Sequence, residues 1–158
     1  MKLLWISAFV AFAVDQISKY LVIHLMGVSQ FNPVDVWPPL LRFRYGENRG
    51  INFGLFGDGV SAWVLIAVAL VICAAVLYWL RRHPQPPVAT ASAGLLIGGA
   101  LANVLDRLIY GFVLDFLNMS CCGIDNPFVF NVADIFIFAG ALGLVFFGQE
   151  DKPRKKGA

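Results

Sequence analysis

The sequence is poor in charged residues. Of its 158 residues only 14% are charged and 59% are hydrophobic, and the formal net charge is +2. A soluble domain of this length and composition would expose large apolar patches, so one integral membrane domain is the simpler interpretation. The small net charge, without a basic patch interleaved with aromatic residues, gives no indication of a nucleic-acid partner, and none is expected.

Histidine and cysteine are also scarce. The two histidines, His24 and His83, lie far apart and have no cysteine or carboxylate at metal-ligand spacing, which argues against a zinc site. Neither offers the partners of a Ser–His–Asp triad. The three cysteines form no CxxC motif. Cys121 and Cys122 are adjacent, and we expect them to be free thiols because a disulfide between neighbours in sequence is strained.

Long apolar runs, in contrast, are abundant. They predict four transmembrane helices, at about residues 3–26, 60–80, 88–109 and 132–148. The first three can cross a hydrocarbon core of roughly 30 Å, and the fourth can do so in a locally thinned bilayer. A cleaved signal peptide is an alternative for the first run, since Ala11-Phe12-Ala13 resembles a cleavage site. The run continues well past that site, which favours a permanent helix.

The segment of about residues 27–59 predicts a small β-element between the first two spans. Its prolines break helices, and Leu41–Tyr45 alternates apolar and charged residues as a half-exposed strand does. We expect a turn at Gly46–Gly50 and a second strand at Ile51–Phe53. The expected fold class is a membrane all-α bundle of four transmembrane helices with a small extracytoplasmic β-element.

Lysine and arginine are distributed unevenly between the two sides of this four-span arrangement. One side carries Lys2, Arg81, Arg82 and the basic C-terminal tail, whereas the other carries Arg42, Arg44 and Arg49. Basic loops favour the cytoplasmic side. Both termini are therefore expected in the cytoplasm, and the β-element is expected to face outward.

Two aspartates, Asp115 and Asp134, lie at this predicted outer face, in the loop of about residues 110–131 and at the start of the fourth span. A carboxylate beside hydrocarbon costs several kcal/mol unless it is partnered, so its default interpretation is functional. Two carboxylates close together cannot both ionise, so one stays protonated as an acid while the other activates water. The pair predicts an aspartyl peptidase. For Asp134 alone, a capping box with Asn131 is a structural alternative.

Further polar residues are predicted to lie near the same outer face of the membrane. Asp15 and Lys19 lie four residues apart on one face of the first span. They form either a salt bridge that only holds the bundle together or a polar wall of the site. The third span ends with Asn103, Asp106 and Arg107, of which we interpret Asp106 as structural.

Five blocks of sequence follow one another between residues 15 and 134. They are Asp15-Gln16-Ile17-Ser18-Lys19, Asn48-Arg49-Gly50, Gly99-Ala100-Leu101-Ala102-Asn103-Val104-Leu105-Asp106-Arg107, Val113-Leu114-Asp115-Phe116 and Phe130-Asn131-Val132-Ala133-Asp134. Together they resemble the ordered blocks of the lipoprotein signal peptidases, the bacterial signal peptidase II family. The resemblance implies an inner-membrane aspartyl endopeptidase with four transmembrane helices. Such enzymes cut the signal peptide from prolipoproteins just before a diacylglyceryl-modified cysteine.

Carried over by position, the resemblance implies that Asp115 and Asp134 are the catalytic pair, with water as the nucleophile. The implied substrate-binding or supporting residues are Asp15, Lys19, Asn48, Gly50, Asn103, Arg107 and Asn131. Two positions depart from the family pattern: Ala102 replaces a usual glycine, and Ile51–Gly54 replaces a run of small residues. The expected partners are prolipoproteins and membrane lipid. We expect no cofactor or metal, and a monomer.

A small proton-coupled transporter, with Asp15, Lys19 and Asp134 as a proton relay, is the alternative function. Transporters carry polar groups near the bilayer midplane and often an internal repeat. Here the polar groups gather at one face and no repeat is visible. A non-catalytic membrane scaffold would leave Asp115 unexplained.

Overall fold

The computed structural model describes residues 1–50, 61–121, 123 and 126–148. The strand predicted at Ile51–Phe53, the departure at Ile51–Gly54 and the basic tail lie outside the described residues. The elements in chain order are α1 (Lys2–Lys19), continued by a π-helix (Tyr20–Leu25), β1 (Val34–Trp37), β2 (Leu41–Asn48), α2 (Ala62–Arg82), α3 (Pro87–Tyr110), β3 (Val113–Met119) and α4 (Val132–Phe147). The prediction of a mostly helical protein with a small β-element is confirmed.

Among the described residues, three helical segments are long and apolar enough to cross a membrane: Lys2–Leu25, Ala62–Arg82 and Pro87–Tyr110. The fourth helix, α4, is apolar but has 16 residues. At a rise of 1.5 Å per residue it is about 24 Å long, which is less than a hydrocarbon core of roughly 30 Å. By length and composition, the described part of the chain therefore has three candidate spans, and the fourth predicted span is not confirmed.

The outward faces of the helices carry large apolar side chains. Phe9 on α1 is 71% exposed, Trp63 on α2 is 70% exposed and Val145 on α4 is 76% exposed. Contiguous apolar surface of this kind is unfavourable in water but is solvated by lipid tails. The exposed residues thus agree with the composition in indicating a membrane protein.

The central helix is α3, which packs against α1 on one side and α4 on the other through glycine. A Cβ atom at Gly98 would collide with the backbone of Ala8, and one at Gly99 would lie 2.6 Å from the carbonyl oxygen of Ala133. Small residues let membrane helices approach closely. Gly98 and Gly99 therefore serve the packing of α3 against α1 and α4.

Helix α2 packs mainly against α3. Its buried residues Cys73 and Leu80 belong to one apolar cluster with Leu96, Ile97 and Ala100 of α3. Most of the remaining surface of α2 is exposed. A cleft between α2 and the rest of the bundle is the consequence, and it reaches the site described below.

The sheet has the strand order β1-β2-β3 and is antiparallel. It lies at the end of the bundle where the α1 segment and α3 end and where α2 and α4 begin. The sequence predicts a turn that begins at Gly46. This beginning is wrong, because strand β2 continues through Gly46 to Asn48. Pairing with β3 supplies the backbone partners there, with Gly46 opposite Asp115 and Asn48 opposite Val113. Part of the predicted catalytic loop is therefore a strand.

Two connections bring the polar residues together. Helix α3 ends at Tyr110. The next residue, Gly111, has a φ of 81°, a left-handed conformation that glycine adopts without a Cβ penalty. The chain enters β3 directly afterwards. On the other edge of β3, the Phe130 N–H donates to the Leu117 carbonyl oxygen at 3.0 Å. This pairing places the start of α4 beside β3.

The expectation of free thiols at the adjacent cysteines is wrong for Cys121, which is disulfide-bonded. Cys73 is free and buried. Cys122 lies outside the described residues. The strain argument considered the two cysteines alone and left out the hydrogen bonds made by the residues on either side of them. The Asn118 side chain is buried and donates to the carbonyl oxygens of Asn126 at 2.7 Å and Phe128 at 2.8 Å.

Candidate active site

Asp115 lies on β3 and is only 2% exposed. Its Oδ1 accepts a hydrogen bond from Asn131 Nδ2 at 2.6 Å, and the Asn48 side chain also hydrogen-bonds to this carboxyl. Opposite Asp115, a Cβ atom at Gly46 would stand 3.3 Å from the Cβ of Val129. Because Gly46 has no side chain, β2 can pack closely against Asp115 and residues 127–129.

Asp134 is the third residue of α4 and takes part in a capping box. The Asp134 N–H donates to Asn131 Oδ1 at 2.9 Å, and the Asn131 N–H donates to Asp134 Oδ2 at 3.2 Å. The capping box considered as the structural alternative is therefore present. It leaves Asp134 Oδ1 free for another partner, and Asn103 Nδ2 donates to that atom at 3.0 Å.

Two asparagines connect the carboxyl groups. Fully buried Asn131 donates from its side chain to Asp115 and from its backbone to Asp134. The same Nδ2 atom donates to Asn103 Oδ1 at 3.2 Å, and Lys19 Nζ donates to that oxygen at 3.4 Å. The side chains of Asp115 and Asp134 are thus joined through Asn131 and Asn103.

The electrostatics of Asp115 are unusual for an aspartate. Burial, and after it the charge of nearby Asp134, raise the pKa of Asp115 from its ordinary 3.8 to about 7. Hydrogen bonds from Asn131 and Asn48 and the charge of Lys19 act in the opposite direction and are outweighed. The pair of carboxyls can therefore hold a proton near neutral pH.

Asp15 and Lys19 form the ion pair expected from their spacing, with Nζ 2.7 Å from Asp15 Oδ2. The sequence did not show that Lys19 also lies 2.7 Å from Asp106 Oδ2. Gln16 was missed as well, although it stands inside the first block; its Nε2 donates to Asp106 Oδ1 at 2.9 Å. A cluster of two acids and one lysine is therefore buried behind the site.

A cavity of about 620 Å³ opens onto Asp115. Strands β2 and β3, helices α2 and α3 and the segment before α4 line it, with the residues Gly46, Glu47, Asn48, Gly50, Leu65, Arg107, Asp115, Pro127, Phe128 and Val129. Gly50 has a φ of 106°, and its N–H donates to Asn48 Oδ1 at 3.1 Å. This bond orients the Asn48 amide so that its NH₂ group is left to donate.

A second, apolar cavity of about 370 Å³ lies in the cleft between α2, α3 and α4. It shares Leu65 and Arg107 with the first cavity and also touches Asn103. Arg107 donates to the Asn103 carbonyl oxygen at 3.3 Å, while its buried Nε finds no acceptor among the described residues. A buried donor without an acceptor in the described part of the chain thus lies where the two cavities meet.

The structure places all nine residues singled out from the sequence at this end of the bundle. The Ala102 departure lies next to them and is fully buried within α3. Its carbonyl oxygen is 3.5 Å from Gln16 Nε2. The methyl group of alanine is therefore accommodated in the packing between α1 and α3.

The family model described as signal peptidase (SPase) II matches residues 7–148 of this chain. The chain belongs to the signal peptidase II family. The lipoprotein signal peptidase of Alteromonas mediterranea is 38% identical over 167 residues, covering 100% of this chain and 87% of the relative. That of Actinobacillus succinogenes is 36% identical over 159 residues, covering 99% and 94%.

Two solved structures, both described as bacterial membrane enzymes determined by the in meso method, have a similar fold. The one at 1.9 Å has a TM-score of 0.77 at 25% identity and covers 93% of this chain and 92% of its own. The one at 2.3 Å has a TM-score of 0.75 at 24% identity and covers 93% of both chains. As a member of the signal peptidase II family the protein is a peptidase. The transporter alternative finds no support.

Proposed function

We propose that this signal peptidase II family member is a membrane aspartyl endopeptidase. It cleaves the signal peptide from diacylglyceryl-modified prolipoproteins just before the lipidated cysteine, with Asp115 and Asp134 as its catalytic dyad. The observation that carries the proposal is the link through Asn131, which donates to Asp115 at 2.6 Å and to Asp134 at 3.2 Å. One residue thus holds both acids, Asp115 through its side-chain amide and Asp134 through its backbone N–H, and Asp115 lines a cavity. Two carboxyls held near each other in this way support a dyad that shares one proton.

The chemistry follows from one proton held by two carboxyls. The ionised carboxylate takes a proton from water, whose oxygen attacks the scissile carbonyl carbon. The protonated carboxyl donates to the carbonyl oxygen and stabilises the tetrahedral intermediate. When this intermediate collapses, the C–N bond breaks and the carboxyl that took the proton from water gives it to the amine of the lipidated cysteine. The other carboxyl takes a proton back from a hydroxyl group of the intermediate, which restores the dyad. The raised pKa of Asp115 supports a dyad that retains its proton near neutral pH.

The two cavities suit the two parts of the substrate. An extended peptide at the lipid-modified cysteine suits the cavity beside Asp115 and Asn48, whose lining has both polar and apolar residues. Acyl chains or apolar signal-peptide side chains fit the apolar cavity between α2 and α3. Arg107 borders both cavities, and its Nε donor has no acceptor among the residues that the structure describes. We assign it to a carbonyl oxygen at the junction of peptide and lipid.

The proposal also includes how the protein is oriented in the membrane. One domain crosses the bacterial inner membrane four times, with α4 crossing where the bilayer is thinned around the protein. Both termini are cytoplasmic because Lys2, Arg81, Arg82 and the basic tail then share the inner side. The sheet and the dyad lie near the outer face. One chain supplies both acids, which supports action as a monomer on prolipoproteins, without a cofactor.

The dyad is tested by replacing each aspartate with asparagine. Asp115→Asn or Asp134→Asn keeps the shape of the side chain but removes the titrating carboxyl, so each is expected to abolish cleavage of a diacylglyceryl-modified prolipoprotein. The double variant should be scarcely worse, because residues that act as a unit are non-additive. Cleavage is measured by the mobility shift of the prolipoprotein with purified, folded variants.

Asp35→Asn is the matched control. Asp35 lies on β1 in an exposed ion pair with Arg42, so its replacement should leave cleavage unchanged. The substrate without the diacylglyceryl group should not be cut by the parent enzyme. Substantial cleavage by well-folded Asp115→Asn or Asp134→Asn would reject the dyad, and equal cleavage of the unmodified prolipoprotein would reject the proposed substrate.

A further inference from the structure

Two buried carboxylates each hold a backbone N–H of the residue that precedes a proposed catalytic aspartate. Asp15 Oδ1 accepts from the Ala133 N–H at 2.8 Å, and Ala133 precedes Asp134. Asp106 Oδ2 accepts from the Leu114 N–H at 3.1 Å, and Leu114 precedes Asp115. Because the same kind of contact holds the backbone next to both proposed catalytic aspartates, we expect the two contacts to have the same role.

Both N–H groups lie at places where secondary structure supplies no acceptor. Ala133 is the second residue of α4, within the first turn, whose N–H groups have no partner inside the helix. Leu114 lies on β3, which pairs with β2 on one edge; on its other edge the bridge to Phe130 is at Leu117, three residues away from Leu114. Asp15 and Asp106 therefore fix the first turn of α4 and the start of β3.

Lys19 joins these two carboxylates. Its Nζ lies 2.7 Å from Asp15 Oδ2 and 2.7 Å from Asp106 Oδ2. Gln16 adds a second bridge, donating to Asp106 at 2.9 Å and to Asp15 at 3.3 Å. A continuous chain of contacts thus runs from the backbone before Asp134 to the backbone before Asp115.

This cluster is buried away from the substrate. The exposed fraction is 0% for Asp15, 4% for Lys19 and 1% for Asp106, and none of the three lines the cavity at Asp115 or the apolar cavity. Direct contact with the substrate is therefore not their task. Buried ion clusters are costly, and well-packed apolar residues often give equal stability, so stability alone is a weak reason for this cluster.

We propose that Asp15, Lys19 and Asp106 form a positioning clamp that sets the distance between the two catalytic carboxyls. The inference rests on the proposed function. Each arm fixes one backbone position, and Lys19 and Gln16 fix the two arms to each other. Displacing a reacting group by about 1 Å can cost on the order of 100-fold in rate, so fixing β3 against α4 is what a shared-proton dyad needs.

The test compares two replacements of Asp106. Asp106→Leu has nearly the same shape but no acceptor, whereas Asp106→Asn keeps an oxygen for the Leu114 N–H, and Gln16 can turn its amide to match. For Asp106→Leu we expect kcat on a diacylglyceryl lipopeptide to fall on the order of 100-fold, with KM changed by less than about threefold. Asp106→Asn should keep kcat within about tenfold of the parent. Asp35→Asn again serves as the control.

A second readout does not depend on activity. The amide-proton resonance of a residue bonded to a buried carboxylate moves when that bond is lost. Asp106→Leu should therefore shift the Leu114 amide and leave the Ala133 amide in place, whereas Asp15→Leu should shift the Ala133 amide and leave the Leu114 amide in place. An arm-specific response separates the clamp from a general loss of stability.

The outcomes are distinct. Asp106→Leu that raises KM at constant kcat, or that leaves kcat unchanged, overturns the clamp. If Asp106→Leu does not fold, Asp106→Asn decides: kcat within about tenfold of the parent supports the clamp, and a larger loss with an unshifted Leu114 amide overturns it. Failure of the proposed function is seen separately, as cleavage by Asp115→Asn, which the clamp variants do not address.

Discussion

Asp115 combines burial, a neighbouring carboxyl and two amide donors, and the balance of these effects predicts a pH dependence. Its pKa is raised to about 7, with burial as the largest cause and Asp134 next. As the pH rises through about 7 the dyad loses its proton, so kcat should fall. Because the pKa of Asp115 is higher in the folded protein than its ordinary 3.8, protonation of this carboxyl stabilises the fold. The stabilisation is fully present below pH 3.8 and is lost as the pH rises through about 7.

Asn48→Leu tests the assignment of this pH dependence to Asp115. The variant removes a hydrogen bond that lowers the Asp115 pKa. The fall in kcat should therefore move to higher pH, whereas it should stay in place for Asp35→Asn. The measurement is kcat against pH with a diacylglyceryl lipopeptide. A profile that is identical in Asn48→Leu and the parent would assign the titration to another group.

Lys19 is the residue whose removal should cost most in stability. Lys19→Met leaves two buried carboxylates, Asp15 and Asp106, without their shared cation. Breaking a buried charge cluster costs about 3–5 kcal/mol, more than the roughly 1–3 kcal/mol for one orphaned polar group. Denaturation in detergent measures the loss, with Lys2→Met at the exposed start of α1 as the control. A variant as stable as the parent would show that the cluster adds nothing to stability.

At the scale of elements, the close contact between α3 and α4 positions the start of α4. A methyl group at Gly99 would lie 2.6 Å from the Ala133 carbonyl oxygen, so Gly99→Ala should push the two helices apart at a cost of about 1–3 kcal/mol. Because Ala133 precedes Asp134, kcat should fall as well.

Gly140→Ala is the matched control for this prediction. Its methyl group would lie 2.5 Å from the Ser92 carbonyl oxygen at the same helix interface, but farther along α4 from Asp134. Thermal unfolding should show a similar loss of stability in both variants, while the loss of kcat should be larger for Gly99→Ala. Equal losses of kcat in the two variants would contradict the prediction, because they would show that the contact at Gly99 has no particular effect on the geometry of the dyad.

At the scale of the whole molecule, the distribution of basic residues predicts the topology. Reporter fusions after Arg82 and at the C-terminus should report a cytoplasmic location, because Lys2, Arg81, Arg82 and the tail share that side. A fusion within residues 27–59 should report an external location. A cytoplasmic signal from a fusion at Gly46 would contradict both the topology and the placement of the site.

The sequence alone determined the elements whose signals are local. Long apolar runs indicated the helices, alternation indicated strand β2, and Asn131 with Asp134 indicated the capping box. The five ordered blocks were enough to indicate the family, which the match over residues 7–148 shows. Asp15 with Lys19 followed from helical spacing. Except for the order of the five blocks, each of these inferences depends on residues close together in the chain.

Only the tertiary structure decided what depends on distant residues. Strand β2 extends past the expected turn because β3, more than sixty positions later, supplies its partners. Lys19 bonds to Asp106 as well as Asp15, and Gln16 joins them, because glycine contacts bring α1 and α3 together. Backbone N–H groups at a strand edge and in a helix's first turn must find acceptors. No periodicity reveals which distant carboxylates supply them.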